Sequence, residues 1–126
     1  MSESNWARSN FVWIGNMNEQ ILTLEKEADQ LRSDGKFEDA VAKLKEALAI
    51  DENFVRGHLG LSVLYHHLAD YAQSCFHGEK ACEIEPNDTF NLSALSVTYQ
   101  RAFEGTRDPM YIQKAEEAMA KSRAGG

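Results

Sequence analysis

A chain of 126 residues has the length of one domain, and its formal net charge of −7 has the wrong sign for nucleic acid or an anionic membrane surface, since both call for a basic face. Hydrophobic residues at 43% and charged residues at 26% are those of a soluble globular protein. No stretch approaches the roughly 18 apolar residues of a membrane span. The opening MSESNWARSNFVW lacks the basic region, apolar run and small-residue site of a secretory leader, so a cytoplasmic location is expected.

The chain opens on an aromatic segment, residues 1–18, carrying Trp6, Phe11, Trp13, Ile14 and Met17. Such a cluster usually meets something. The segment either caps the helices after it, docks on a second copy of the chain, or stays flexible until a partner arrives, and Trp6, Phe11, Trp13 and Ile14 are the candidate self-association residues. From residue 19 onward apolar residues recur at helical spacing without sustained alternation, and Ala, Leu, Glu and Lys dominate up to Ile50. Breaks are expected near Ser33-Asp34-Gly35, Asp51-Glu52-Asn53, Ala69-Asp70, Glu85-Pro86-Asn87 and from Gly105 to Pro109. Pro86 closes the helix before it, Asn87 or Asp88 caps the next, and Asp108 caps a last helix that starts at Pro109. The outcome is an all-α chain of six helices, each about 12 to 17 residues long, joined by short turns. Cys75 and Cys82 lie seven apart on one such helix, about 10 Å along its axis, beyond the reach of a disulfide. They read as small buried residues.

The pentapeptide LSVLY, Leu61 to Tyr65, returns as LSVTY, Leu95 to Tyr99, 34 positions later. The same offset pairs Ala47 with Ala81, Ile50 with Ile84, Asn53 with Asn87 and Phe37 with Tyr71. A 34-residue helix–turn–helix unit with a small residue after Leu, an aromatic three further on, small residues in the second helix and a Pro near the end resembles the tetratricopeptide repeat (TPR). The middle unit, residues 55–88, carries Leu61-Ser62, Tyr65, Ser74, Ala81 and Pro86 in the matching places. The first, residues 21–54, carries Ala28, Leu31, Gly35, Ala40 and Ala47, and departs at Glu27 and Glu52. The third, residues 89–124, starts with Leu92, Leu95, Ser96 and Tyr99 and then loses register. Its small-residue match is Ala115, about seven residues late, so a lengthened inter-helix turn is expected near residues 102–109. The resemblance implies a short α-solenoid of three repeats over residues 19–126, stacked as a right-handed superhelix.

On the first helix of the middle unit, Phe54, His58, Leu61, Tyr65 and Leu68 share one face and form the packing side. Arg56, Leu59, Val63, His66 and His67 fall opposite. In the resembled family that opposite side lines a concave groove, and the matching positions are Leu22, Glu25, Asp29, Arg32 and Ser33 in the first unit and Phe90, Ser93, Val97, Gln100 and Arg101 in the third. The resemblance therefore implies a non-catalytic module that holds a protein or peptide segment, as an adaptor or assembly factor. Leu22, Leu59, Val63, Phe90 and Val97 suit apolar anchors, and Glu25 and Asp29 against Arg101 give the groove a direction. The alternative is a self-associating scaffold in which the aromatic segment docks on a neighbouring copy. Some relatives grip a partner's terminal carboxylate with Lys and Asn, but here the positions read as Glu25, Asp29, Gly60, Phe90 and Ala94, and the acids would repel that group.

Catalytic patterns are not apparent. His58, His66, His67 and His77 do not show the i, i+4 spacing of two metal ligands on one helix, so a metal carrier or small enzyme built on them is the weakest reading. No Cys-x-x-Cys, phosphate loop or nucleophile elbow occurs. No cofactor or metal is expected, and the chain is read as a non-enzyme.

Overall fold

A computed structural model of the chain describes the backbone of residues 3–125 and the side chains of residues 16–125. Six helices follow one another in the described residues: α1 (Glu3–Ser33), α2 (Phe37–Ile50), α3 (Val55–His67), α4 (Tyr71–Ile84), α5 (Thr89–Thr106) and α6 (Met110–Gly125). Each packs on its neighbours in sequence, and α3 also touches α5, so α1, α3 and α5 are the first helices of three stacked pairs. Among the described residues there is no strand.

The ends of the helices follow from local chemistry. Asp70 caps α4 by accepting from the Gln73 N–H at 3.2 Å, and Asp88 caps α5 by accepting from the Asn91 N–H at 3.1 Å. Asp108 accepts from the Met110 N–H at 3.0 Å, with Pro109 just ahead of α6. After α1 the chain turns at Gly35, φ 77°, where the Lys36 N–H reaches the Leu31 carbonyl and the Gly35 N–H reaches that of Arg32. This is a Schellman closure. The same pair of bonds follows α3, from Asp70 to Tyr65 and from Ala69 to His66, but the left-handed position is Ala69, φ 59°.

Two elements differ from expectation. At 31 residues α1 exceeds the expected helix length; it contains no proline, and its one interior glycine, Gly15, costs only about 1 kcal/mol. The side chains of Trp6, Phe11, Trp13 and Ile14 lie outside the described residues. The second difference concerns residues 102–109. The turn after α5 holds residues 107–109, no more than the turn between α3 and α4 at 68–70. Five of the extra residues prolong α5 instead, and two fall in the first turns of α6. Thr106 steadies this prolongation by donating its hydroxyl to the Ala102 carbonyl at 2.7 Å. A Cβ at Gly105 would stand 2.2 Å from Cζ of Tyr71, so the added part of α5 rests directly on that ring.

The apolar core comes in two clusters. One joins Ala28, Ala40, Val41, Leu44, Leu61, Leu64 and Tyr65, with Phe37 and Leu68 packed against it; the other joins Cys75, Leu95, Tyr99, Ala102, Ala115 and Ala118. Small residues let the helices approach closely. Ser74 Oγ donates to the Ser62 carbonyl at 2.7 Å, and Ser96 Oγ donates to that of Ala115 at 2.9 Å, which makes Ala115 the counterpart of Ser74. Between the clusters runs a polar seam of buried His58, Ser62, Ser74 and His77 on α3 and α4.

Candidate functional site

The side of α3 that faces away from Leu61 meets the corresponding side of α5 across a cleft of about 260 Å³. Leu59 and Val63 line it from α3, and Phe90, Ala94, Val97 and Arg101 line it from α5. Its floor is Ser62, Leu95 and Gly78 of α4. A Cβ on Gly78 would approach Leu95 Cδ1 to 3.1 Å, so the missing side chain is what lets α4 lie this close. The cleft is smaller than the few hundred Å³ or more typical of small-molecule sites and suits one apolar side chain. Phe90 is 71% exposed and Val97 39%, a large apolar surface left in solvent.

The other groove candidates distribute around this cleft. Glu25 and Arg56 form a fork-to-fork pair between α1 and α3, with Nε to Oε2 at 2.9 Å and Nη2 to Oε1 at 3.0 Å. This pair takes Glu25 out of the role of a free acid. Leu22, Asp29 and Arg32 are on α1, and Leu22, half exposed, does not reach the cleft. Ser93 lies against α6, its hydroxyl 2.8 Å from that of Ser122, and Gln100 faces a depression shared with α6. Both sit on the flank of α5 nearer its own partner helix than α3. His67 stacks on Phe37 of α2 at 4.7 Å, away from α5. His66 lies beside Arg101, and its Nδ1 is buried without a hydrogen-bond partner among the described residues. Burial, then the Arg101 and His67 charges, lower its basicity against the opposing pull of Glu104.

Spacing alone gives no notice of a buried histidine pair. His58 Nδ1 lies 3.1 Å from His77 Nδ1, and His58 Nε2 lies 2.9 Å from the Glu52 carbonyl. A carbonyl only accepts, so His58 carries its proton on Nε2 and leaves Nδ1 bare; His77 must then donate from Nδ1. His77 packs parallel to Tyr65 at 5.7 Å, and its pKa falls from 6.5 to about 4 through burial, then the His58 and Lys45 charges. A signal does exist in the chain: in antiparallel helices that touch at Ser62 and Ser74, a residue four before the first meets one three after the second.

Elsewhere the polar groups serve structure. Burial and the adjacent acids push the Cys75 thiol up to about 11 and raise that of Cys82, so neither is a ready nucleophile. Both cysteines are free. Tyr99 donates to Glu79, which Lys114 also approaches at 4.0 Å. Among the described residues no group of three or more His, Cys, Asp or Glu is placed to hold a metal ion, and no helix is long and apolar enough to cross a membrane. Wider depressions include one of about 690 Å³ on α1 and α2, one of about 680 Å³ beside Glu52, His58 and Lys80, and one of about 560 Å³ on α5 and α6.

Three helix pairs, small residues at the crossings and a Schellman turn repeated 34 residues apart at Gly35 and Ala69 define the units, and residues 28–68 match the family model described as TPR repeat. Over those residues the chain is similar to a tetratricopeptide repeat. The match runs from the end of α1 through α3. A solved structure of the first TPR of Spaghetti (RPAP3), bound to the HSP90 peptide SRMEEVD, is similar to this six-helix array with a TM-score of 0.58. The two share 15% identity over 84% of this chain and 95% of that one, a likeness of fold. No curated protein matches the chain in sequence.

Proposed function

We propose that the chain is a non-catalytic adaptor or assembly factor that holds a segment of another protein along the first helices of its TPR units. The observation that carries this reading is the apolar cleft between α3 and α5, with Phe90 and Val97 exposed at its rim. An extended or helical segment that inserted one aliphatic side chain would cover both residues and remove apolar surface from water, which stabilises the complex by roughly 25 cal/mol per Å² before the costs of association. The RPAP3 domain holds its peptide on the same fold, which supports a peptide partner as a class. A terminal carboxylate is a poor candidate, because Glu25 and Asp29 stand on α1 where a cation would be needed, and the Arg56 guanidinium is already held by Glu25.

Val63→Glu combined with Val97→Glu places two charges in the cleft while sparing the packing face. In affinity capture from an extract of the source organism, proteins retained by the wild type and lost by the double variant are groove partners. If both proteins retain the same set, with equal thermal stability, the groove is not the binding surface.

A further inference from the structure

Arg101 is the one charged residue lining the α3–α5 cleft among the described residues. It makes no ion pair with any of them, although Glu104 follows it one turn later on α5. Of the other groove guanidinium groups, Arg56 is neutralised by the bidentate contact to Glu25, and Arg32 sits in the last turn of α1, outside the cleft lining. The cleft itself therefore has one uncompensated guanidinium, at its end toward the C-terminus of α5. On a chain of net charge −7 an acidic segment is repelled at long range, so it gains only where a local cation is free.

We propose that the cleft selects a peptide in which an aliphatic side chain, seated between Val63 and Val97, is accompanied by a nearby Asp or Glu received by Arg101. The inference rests on the groove reading and adds the partner's chemistry to it. The planar guanidinium presents two parallel N–H groups to a carboxylate, a geometry that a neutral amide cannot match. Glu104, one turn further along α5, opposes the anion, so the acid must lie on the Val97 side of Arg101.

The test is a displayed library of nonapeptides with a fixed central leucine and randomised flanks, selected on the full chain. Wild type is expected to enrich Asp or Glu at one flanking position. Arg101→Gln, at an exposed site that leaves the fold intact, is expected to recover leucine peptides without that enrichment, and Arg101→Glu to enrich Lys or Arg there instead. A synthetic peptide from the wild-type selection should weaken about tenfold when its acid is changed to the amide, as for loss of a charge-assisted contact. With Arg101→Gln the two peptides should bind alike. If wild type and Arg101→Gln select the same flanks, the carboxylate preference is overturned and the groove reading stands. If Val63→Glu selects the same peptides as wild type, the groove reading falls with it.

Discussion

His77 shows how one residue ties the fold to acidity. It is held neutral by burial and by the proton it donates to His58, with a pKa of about 4 against 6.5 in the unfolded chain. The unfolded state therefore binds more protons between these values. The stabilisation is fully present above pH 6.5 and is lost as pH falls toward 4, about 3 kcal/mol in full at 1.4 kcal/mol per pH unit. Urea denaturation at pH 7 and pH 4.5 measures it. His77→Gln retains a donor for His58 Nδ1 without titrating, so its loss of stability over the same interval should be smaller by about 2 kcal/mol or more. Equal losses in both proteins would assign the acid sensitivity to the surface carboxylates.

The packing face of α3 is legible in the sequence because a helical period of apolar residues fixes which side is buried: Leu61 and Tyr65 are buried, as their spacing requires. His58 falls on that face by the same period. Its partner does not emerge from it, since the contact joins residues 19 apart through the crossing angle of two helices, and that angle is a tertiary quantity. The groove candidates divide for the same reason. Val63, Val97, Leu59, Phe90 and Arg101 converge because α3 and α5 run side by side, whereas Ser93 and Gln100 sit near the edge of the face, where a small rotation of α5 turns them toward α6. Periodicity gives a face to within a residue or two, and edge residues are decided by the neighbour.

At the scale of the element, the turns carry most of the information. The Schellman closure after α1 uses Gly35, and its equivalent after α3 uses Ala69 in the same left-handed conformation. An alanine there carries a steric cost that glycine avoids, roughly 1 kcal/mol. Ala69→Gly is expected to raise the urea midpoint without changing the denaturant slope; a lower midpoint would show that the added freedom of the unfolded chain outweighs the relief. The prolonged α5 is a different case. Seven residues out of register read naturally as a longer loop, yet Ala102, Phe103 and Glu104 are good enough helix formers to continue α5, and Ala102 is fully buried. The helix stops where Arg107 enters the left-handed region at φ 64° ahead of Asp108 and Pro109. An insertion in a repeat adds to whichever element its residues favour, and offset counting alone does not say which.

At the scale of the molecule, the two apolar clusters divide α1–α3 from α4–α6, with the polar seam between them. Repeat arrays derive stability from contacts between neighbours, so the least apolar interface is where the array should open first. Native-state hydrogen exchange at low denaturant is expected to show two groups of amides with distinct opening free energies, divided near the turn at residues 68–70. Lowering the pH toward 5 should bring the two groups further apart, because the seam holds the His58–His77 bond. A single opening free energy for all six helices would mean that the seam transmits cooperativity as well as apolar packing does.

The seam also bears on the groove it underlies. Apolar surfaces attract without specifying direction, so two greasy helices can slide and rotate against each other at little cost. Hydrogen bonds fix both distance and angle. Ser62 contacts Ser74 at its hydroxyl and carbonyl, lies 3.3 Å from the Thr98 hydroxyl of α5, and neighbours Gly78 on the cleft floor. The spacing between Val63 and Val97 across the cleft is thus gauged by a few directional contacts among the polar atoms beneath them.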